Sequence, residues 1–330
     1  MSVHCLAIRH SERLVRSAFP KKACKHLKRT AGSQLLQKNV ELIRVAEIIG
    51  SFGEHHTVDT LNLTIRVYKL FSDSSSVDVN TGDDNADSDA AVARTYRMPS
   101  AHLEGLWESL YFDTDIKSML LQFMSSAILF GEKGIDHNFI SWNRLIFLHG
   151  PPGTGKTSLC RSLAQKIAIR MNHRYEYTKL VEINSHSLFS RYFSESGKLV
   201  GKTFEDFLEM LEDDDTFLVV LIDEVESLTT ARTAAASGND PSDSLRAVNA
   251  LLTGLDKLKY KDNVIVLTTS NLPHTVDPAF LDRIDFKYYI GPPGAKSVYT
   301  ILRSMFDEMI RCGIINHSVS SWCSLVFPSC

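Results

Sequence analysis

The sequence predicts an α/β fold, a P-loop parallel sheet flanked by helices, with a small α+β N-terminal domain ahead of it and a helical segment after it. Three observations carry this expectation. Gly150-Pro151-Pro152-Gly153-Thr154-Gly155-Lys156-Thr157 fits G-x-x-x-x-G-K-[ST] without a mismatch. An apolar run at 145–148 precedes it, and helical spacing of Leu and Ala over 158–167 follows, so strand, loop and helix stand in the required order. Two further apolar runs, 217–222 and 264–269, end in Asp223-Glu224 and Ser270-Asn271. Buried parallel strands deliver polar groups to their C-terminal edge in this way, where α/β ligands sit.

From the N-terminus, residues 1–30 carry Arg9, Arg13, Arg16, Lys21, Lys22, Lys25, Lys28 and Arg29 against Glu12 alone. A transit peptide, a nuclear-import patch over 21–29 and a solvated tail all fit that pattern. Leu61, Leu63, Ile65 and Val67 alternate with Asn62, Thr64 and Arg66, which predicts a half-buried strand in an antiparallel sheet. Residues 72–89 are rich in Ser, Asp, Asn and Gly, with too little apolar surface to offset ordering entropy, and predict a disordered acidic loop. Residues 102–131 read as helical, with Gly131 as C-cap.

In the loop, glycines let backbone N–H groups curl round a polyphosphate at the positive end of a helix. Gly150, Pro151, Pro152, Gly153, Thr154, Gly155, Lys156, Thr157 and Ser158 are the expected contacts to a nucleoside triphosphate. Lys156 reaches the β- and γ-phosphates, and the Thr157 hydroxyl ligates Mg²⁺. Asp223 holds the same metal through its water shell, and Glu224 is placed to accept a proton from an attacking water. Asn271 can orient that water or sense the γ-phosphate, although turn chemistry also puts Asn after strands. Then comes Asp277-Pro278-Ala279-Phe280-Leu281-Asp282-Arg283-Ile284-Asp285-Phe286, where one arginine is flanked by acids. The helix over 294–315 carries Val298, Ile301, Leu302, Met305, Phe306 and Met309 at helical spacing.

Composition narrows the function classes. Lys plus Arg number 36 against 39 Asp plus Glu, a formal charge of −3, so no global charge drives nucleic-acid binding. No apolar run approaches the roughly 18 residues needed to span a bilayer. Cys5, Cys24, Cys160, Cys312, Cys323 and Cys330 lack C-x-x-C or regular spacing and read as reduced thiols without zinc.

The order of phosphate loop, Asp-Glu strand, Asn-tipped strand and the 277–286 segment resembles the AAA+ ATPases. More narrowly, the chain resembles the pachytene checkpoint protein 2 family, the thyroid-receptor-interacting ATPases. Three segments carry that likeness: Ile183-Asn184-Ser185-His186-Ser187-Leu188-Phe189-Ser190-Arg191-Tyr192-Phe193-Ser194-Glu195-Ser196-Gly197-Lys198-Leu199-Val200, Ile222-Asp223-Glu224-Val225-Glu226-Ser227-Leu228-Thr229 and Tyr289-Ile290-Gly291-Pro292-Pro293. Similarity runs from about Leu103 to about Ile315, with a weaker echo back to about Asp59.

The resemblance implies an ATPase that forms a homo-hexamer and remodels HORMA-domain proteins of meiotic chromosome-axis and spindle-checkpoint control. It implies an adaptor, ATP and Mg²⁺ as cofactors, and work in the nucleus and cytoplasm. It places Tyr192 and Phe193 in an aromatic pore loop; a core role is the alternative, against which the polar neighbours Ser190, Arg191, Ser194, Glu195 and Ser196 speak. It makes Arg283 the arginine finger of a neighbour's site, displaced by one residue from the usual register, with a salt bridge to Asp282 or Asp285 as the alternative. The implied domains are 1–99 for substrate and adaptor binding, 100–293 for the large ATPase domain, and 294–330 for a partial helical lid with a divergent tail. The family's Gly-x-Ser-Gly-Arg lid segment has no counterpart here, which predicts an incomplete C-terminal helical lid. Two rival functions stand beside this one: a binding form without turnover, and a DNA-directed AAA+ motor. The motor needs a basic pore, where this chain offers only Arg191 and Lys198 against Glu195.

Overall fold

The computed structural model describes residues 2–9, 42–49, 62–72, 77–78, 93–136, 139–185, 196–227 and 241–315. Tyr192, Phe193, the segments 10–41, 79–92 and 316–330, and most of the acidic stretch lie outside them.

Near the N-terminus, β1 (Ser2–Arg9) lies between β2 (Leu42–Ile49), antiparallel to it, and β3 (Asn62–Lys69). Residues 2–9 of the expected leader or tail are therefore a strand paired on both edges. The period-two segment does form β3, but it runs parallel to β1, not antiparallel as expected. Its end also presents the other face: Val67 is 57% exposed and Tyr68 only 6%. Long-range bonds to the phosphate-loop helix explain the reversal. Arg66 Nη1 donates to the Arg170 carbonyl, and Asn172 Nδ2 donates to the Val67 carbonyl at 2.8 Å.

The main sheet has seven strands: β4 (Val77–Asp78), β5 (Ala93–Met98), β6 (Leu145–His149), β7 (Tyr177–Asn184), β8 (Thr216–Asp223), β9 (Val264–Ser270) and β10 (Phe286–Tyr289). Their spatial order is β10-β6-β9-β8-β7-β5-β4, with the first five parallel and β5 and β4 added antiparallel. Strands β4 and β5, within residues 1–99, thus join the same sheet as the phosphate-loop strand. Strands from the supposed N-terminal domain complete the ATPase sheet, because β7 would otherwise leave an open hydrogen-bonding edge. Likewise, Val77 and Asp78, inside the stretch read as disordered, pair with β5.

The helices are α1 (Leu106–Ser109), α2 (Ile116–Glu132), α3 (Lys156–Met171), α4 (Ser196–Met210), α5 (Pro241–Leu258), α6 (Pro278–Leu281) and α7 (Ala295–Arg311). Gly131 lies within α2; Lys133 is the cap, followed by Gly134 at φ 58°, the left-handed residue that ends many helices. Central strands are buried on both faces, which explains their unbroken apolar runs. Leu145 and Phe147 turn to one layer with Val200, Phe204 and Phe207 of α4 and Leu251 of α5. Ile146 and Leu148 turn to the other, with Leu120 of α2 and Leu159, Leu163 and Ile167 of α3. Gly254 lets α5 approach α4, since a Cβ there would lie 2.4 Å from the Phe204 ring. Among the described residues no helix is long and apolar enough to cross a membrane.

Candidate functional site

The phosphate loop leaves β6 at the C-terminal edge of the parallel strands and enters α3. It is held from both sides. The Gly150 N–H donates to the Ser270 carbonyl at 3.1 Å, and the Ile290 N–H donates to the His149 carbonyl at 2.7 Å. A Cβ on Gly150 would lie 2.0 Å from the Ile290 carbonyl oxygen, so this position requires glycine on contact grounds alone. Pro151, Pro152 and Gly153 are exposed, and Thr154, Gly155, Thr157 and Ser158 are half-buried, leaving the loop's outer side open to a ligand. Lys156 Nζ donates to the Gly150 carbonyl at 2.8 Å and to the Pro151 carbonyl at 2.7 Å. Burial pulls the Lys156 pKa below the usual lysine value, against the opposing pull of Glu226, Asp223 and Glu224.

Facing the loop is the end of β8. The Thr157 hydroxyl donates to Asp223 Oδ1 at 2.9 Å. Glu224 is exposed and has φ 55°, a left-handed conformation uncommon outside glycine. Asn271 follows β9, and its N–H donates to Glu226 Oε1 at 2.9 Å. Lys156, Thr157, Asp223, Glu224 and Asn271 are thus brought to one sheet edge. The arrangement fits magnesium-bound ATP on three observations of the chain itself. An open glycine loop caps a helix N-terminus, a buried ammonium sits beneath it, and hydroxyl and carboxylate oxygens of the kind Mg²⁺ takes lie together.

Arg283 departs from expectation. Its Nε and Nη2 donate to both carboxylate oxygens of Asp256 on α5, each at 2.8 Å, so neither Asp282 nor Asp285 is the partner. Asp285 instead accepts the Asn143 and Leu145 N–H groups at 3.0 and 3.1 Å, and burial raises its pKa.

Sequence reasoning also missed a strap over the loop. Leu110 and Phe112 come within 3.7 and 4.0 Å of where a Gly155 Cβ would stand. Lys117 Nζ holds this strap by donating to the Trp107 carbonyl and, at 2.6 Å, to that of Leu110; burial lowers its pKa to about 8. Next in line, Asp113 accepts from the Ser297 hydroxyl at 2.7 Å and the Gly294 N–H at 2.5 Å, tying α7 to the strap. Those bonds, the Ser297 one foremost, hold its pKa below the usual carboxylate value. No local pattern signals a cap supplied from 181 positions away.

This sheet order and site define a member of the AAA class: the profile described as "ATPase family associated with various cellular activities (AAA)" matches residues 146–292. The chain is 47% identical over 282 residues to the pachytene checkpoint protein 2 homolog of Gallus gallus, which covers 85% of this chain and 65% of that relative. It superposes on the solved structure of C. elegans PCH-2 with a TM-score of 0.72 and 32% identity, covering 100% of this chain and 84% of that one. The chain belongs to the pachytene checkpoint protein 2 family. It spans less than two thirds of the length of the curated relatives it matches, 65% for the Gallus gallus protein and 50% for the Arabidopsis thaliana homolog. A chain from the E. coli MS115-1 HORMA:CdnC:Trip13 complex shares the fold, with a TM-score of 0.51 and 17% identity over 64% of this chain and 73% of that one.

Proposed function

We propose that this protein hydrolyses ATP to remodel HORMA-domain proteins. The observation that carries the catalytic part is the convergence of Lys156, Thr157, Asp223 and Glu224 at the end of β6 and β8, with Thr157 and Asp223 2.9 Å apart. Thr157 and Asp223 would hold Mg²⁺, which would supply charge neutralisation for the phosphates. Lys156 adds a fixed cation, Glu224 accepts the proton of the attacking water, and Asn271 orients that water. Glu224→Gln keeps the shape but removes the base. ATP retention with phosphate release reduced at least about 100-fold is the expected outcome. Unchanged turnover would remove Glu224 from the mechanism.

The substrate class rests on family membership and on the HORMA-containing assembly of the E. coli neighbour. In this reading the protein acts as a homo-hexamer with an adaptor, in the nucleus and cytoplasm, on meiotic-axis and spindle-checkpoint HORMA proteins. Tyr192 and Phe193 grip substrate in the pore. Arg283, oriented by Asp256, keeps N–H donors on Nη1 and Nη2 for a neighbour's phosphate. Tyr192→Ala would abolish conversion of a purified HORMA protein while leaving basal phosphate release within a few-fold.

One observation favours a second reading, a nucleotide- or partner-binding form with little turnover. Val298, Leu302 and Met305 of α7 are 39%, 48% and 55% exposed beside the site. Light scattering combined with phosphate release separates the two, since the first reading requires an active hexamer.

A further inference from the structure

We infer that Thr269 is a positioning residue for hydrolysis: its buried hydroxyl sets the orientation of Asp223 and the backbone of Glu224. This rests on the reading that those two carboxylates serve Mg²⁺ and water. Regular pairing between β8 and β9 reaches Ile222 opposite Thr268. Beyond it, Thr269 takes over. Its Oγ1 donates to Asp223 Oδ1, the same oxygen that receives the Thr157 hydroxyl. The same Oγ1 accepts the Glu224 N–H at 3.2 Å, and the Thr269 carbonyl accepts the Val225 N–H at 3.0 Å.

A hydroxyl offers one hydrogen and two lone pairs, so a single side chain can serve a carboxylate and an amide together. Both services matter here. An Asp223 carboxylate with one partner removed gains a rotational choice that metal binding must then pay to restrict. Glu224 has φ 55°, a left-handed conformation that is unfavourable at a non-glycine residue unless the surroundings impose it. The bonds from Thr269 to Glu224 and Val225 are what impose it. Thr269 is 1% exposed, so water does not replace a lost hydroxyl freely. Thr268 is an internal control: equally buried, it points the other way, and its hydroxyl donates to the Ile146 carbonyl at 2.9 Å.

Thr269→Val, Thr269→Ser and Thr268→Val, in the full chain with and without Glu224→Gln, test this. Phosphate release is followed against ATP and against Mg²⁺, and ATP affinity is measured with and without Mg²⁺ in the Glu224→Gln background. Thr269→Val should lower kcat by about 10–100-fold and raise half-saturating Mg²⁺ several-fold, the size of effect seen when a ligand's supporting hydrogen bond is lost. ATP affinity without Mg²⁺ should stay within about twofold, since Thr269 faces the carboxylates rather than the phosphate loop. Thr269→Ser should restore both, and Thr268→Val should alter neither. Parent-like kcat and Mg²⁺ dependence in Thr269→Val would overturn the inference, as would Thr269→Ser being equally impaired. If the parent itself releases no phosphate, the hydrolysis reading fails. In that case the Mg²⁺ gain in ATP affinity, lost in Thr269→Val and kept in Thr269→Ser, still decides the role of Thr269.

Discussion

Helices α3 and α7 are 16 and 17 residues long, and each begins at the edge of the site, yet their surroundings are opposite. In α3 burial extends all round, from Leu159, Leu163 and Ile167 to Ser162, Gln165 and Lys166. In α7 only Ser297 is buried among the described residues, although Val298, Ile301, Leu302, Met305, Phe306 and Met309 make an apolar stripe. The phosphate-binding helix is therefore clamped along its length, by the sheet on one side and by α1 and β3 on others. The first turn of α7 is bonded to Asp113. The difference separates a helix packed along its length from one whose apolar stripe is largely half-buried or exposed.

The largest break in this comparison is Leu163→Ala. Leu163 is fully buried between α3 and the sheet, and truncation should cost about 3 kcal/mol in urea unfolding. A loss below about 1 kcal/mol would mean the core collapses round the gap and α3 is less tightly held than its burial indicates.

A pH effect comes next. Lys117 sits at about 8 when folded, lowered by burial, against about 10.4 when unfolded. Between those values the unfolded chain binds more protons, so stability rises with pH across that window. Melting temperatures of the parent and of Lys117→Met should hold a constant gap below about pH 8, then shift in the parent's favour toward pH 10. Parallel curves would place Lys117 in water.

Asp113 tests the pinned end. Its folded pKa is lowered by Ser297 and Gly294, so its contribution is present above the ordinary carboxylate value, about 3.9. It is lost as pH falls below that through the folded value. Asp113→Ala should lower the melting temperature at neutral pH and speed amide exchange at residues 294–298, with the gap closing in acid. Unchanged exchange would mean that α7 is held elsewhere.

The smallest effect belongs to Leu302→Ala on α7. At 48% exposure it should change stability by no more than about 0.5 kcal/mol. A cost like that of Leu163→Ala would show the stripe covered in solution, and the contrast between the helices would dissolve.

Much of the site was legible because its signals are local. Gly150 to Thr157 lie together in the chain, and Asp223 and Glu224 end a run of six apolar residues, 217–222. Such a run also betrays a strand buried on both faces, whatever lies around it. The amphipathic stripe of α7 was equally plain, but spacing records only that a face is apolar, not what meets it. Where expectations failed, a distant segment had intervened. Val67 and Tyr68 exchanged faces because β3 bonds to the end of α3 more than a hundred residues on.

What the sequence by itself determined is the strand–loop–helix that carries Lys156 and Thr157, the acidic strand end, and the parallel sheet that aligns them. Spacing within a few residues encodes each of these. Only the tertiary structure decided that β5 completes the ATPase sheet, that Arg283 pairs with Asp256, that Asp113 caps α7, and that the Thr269 hydroxyl bonds both the Asp223 carboxylate and the Glu224 N–H. Hydrogen bonds require donor and acceptor within about 3 Å. Between segments far apart in the chain, nothing but the fold sets that distance.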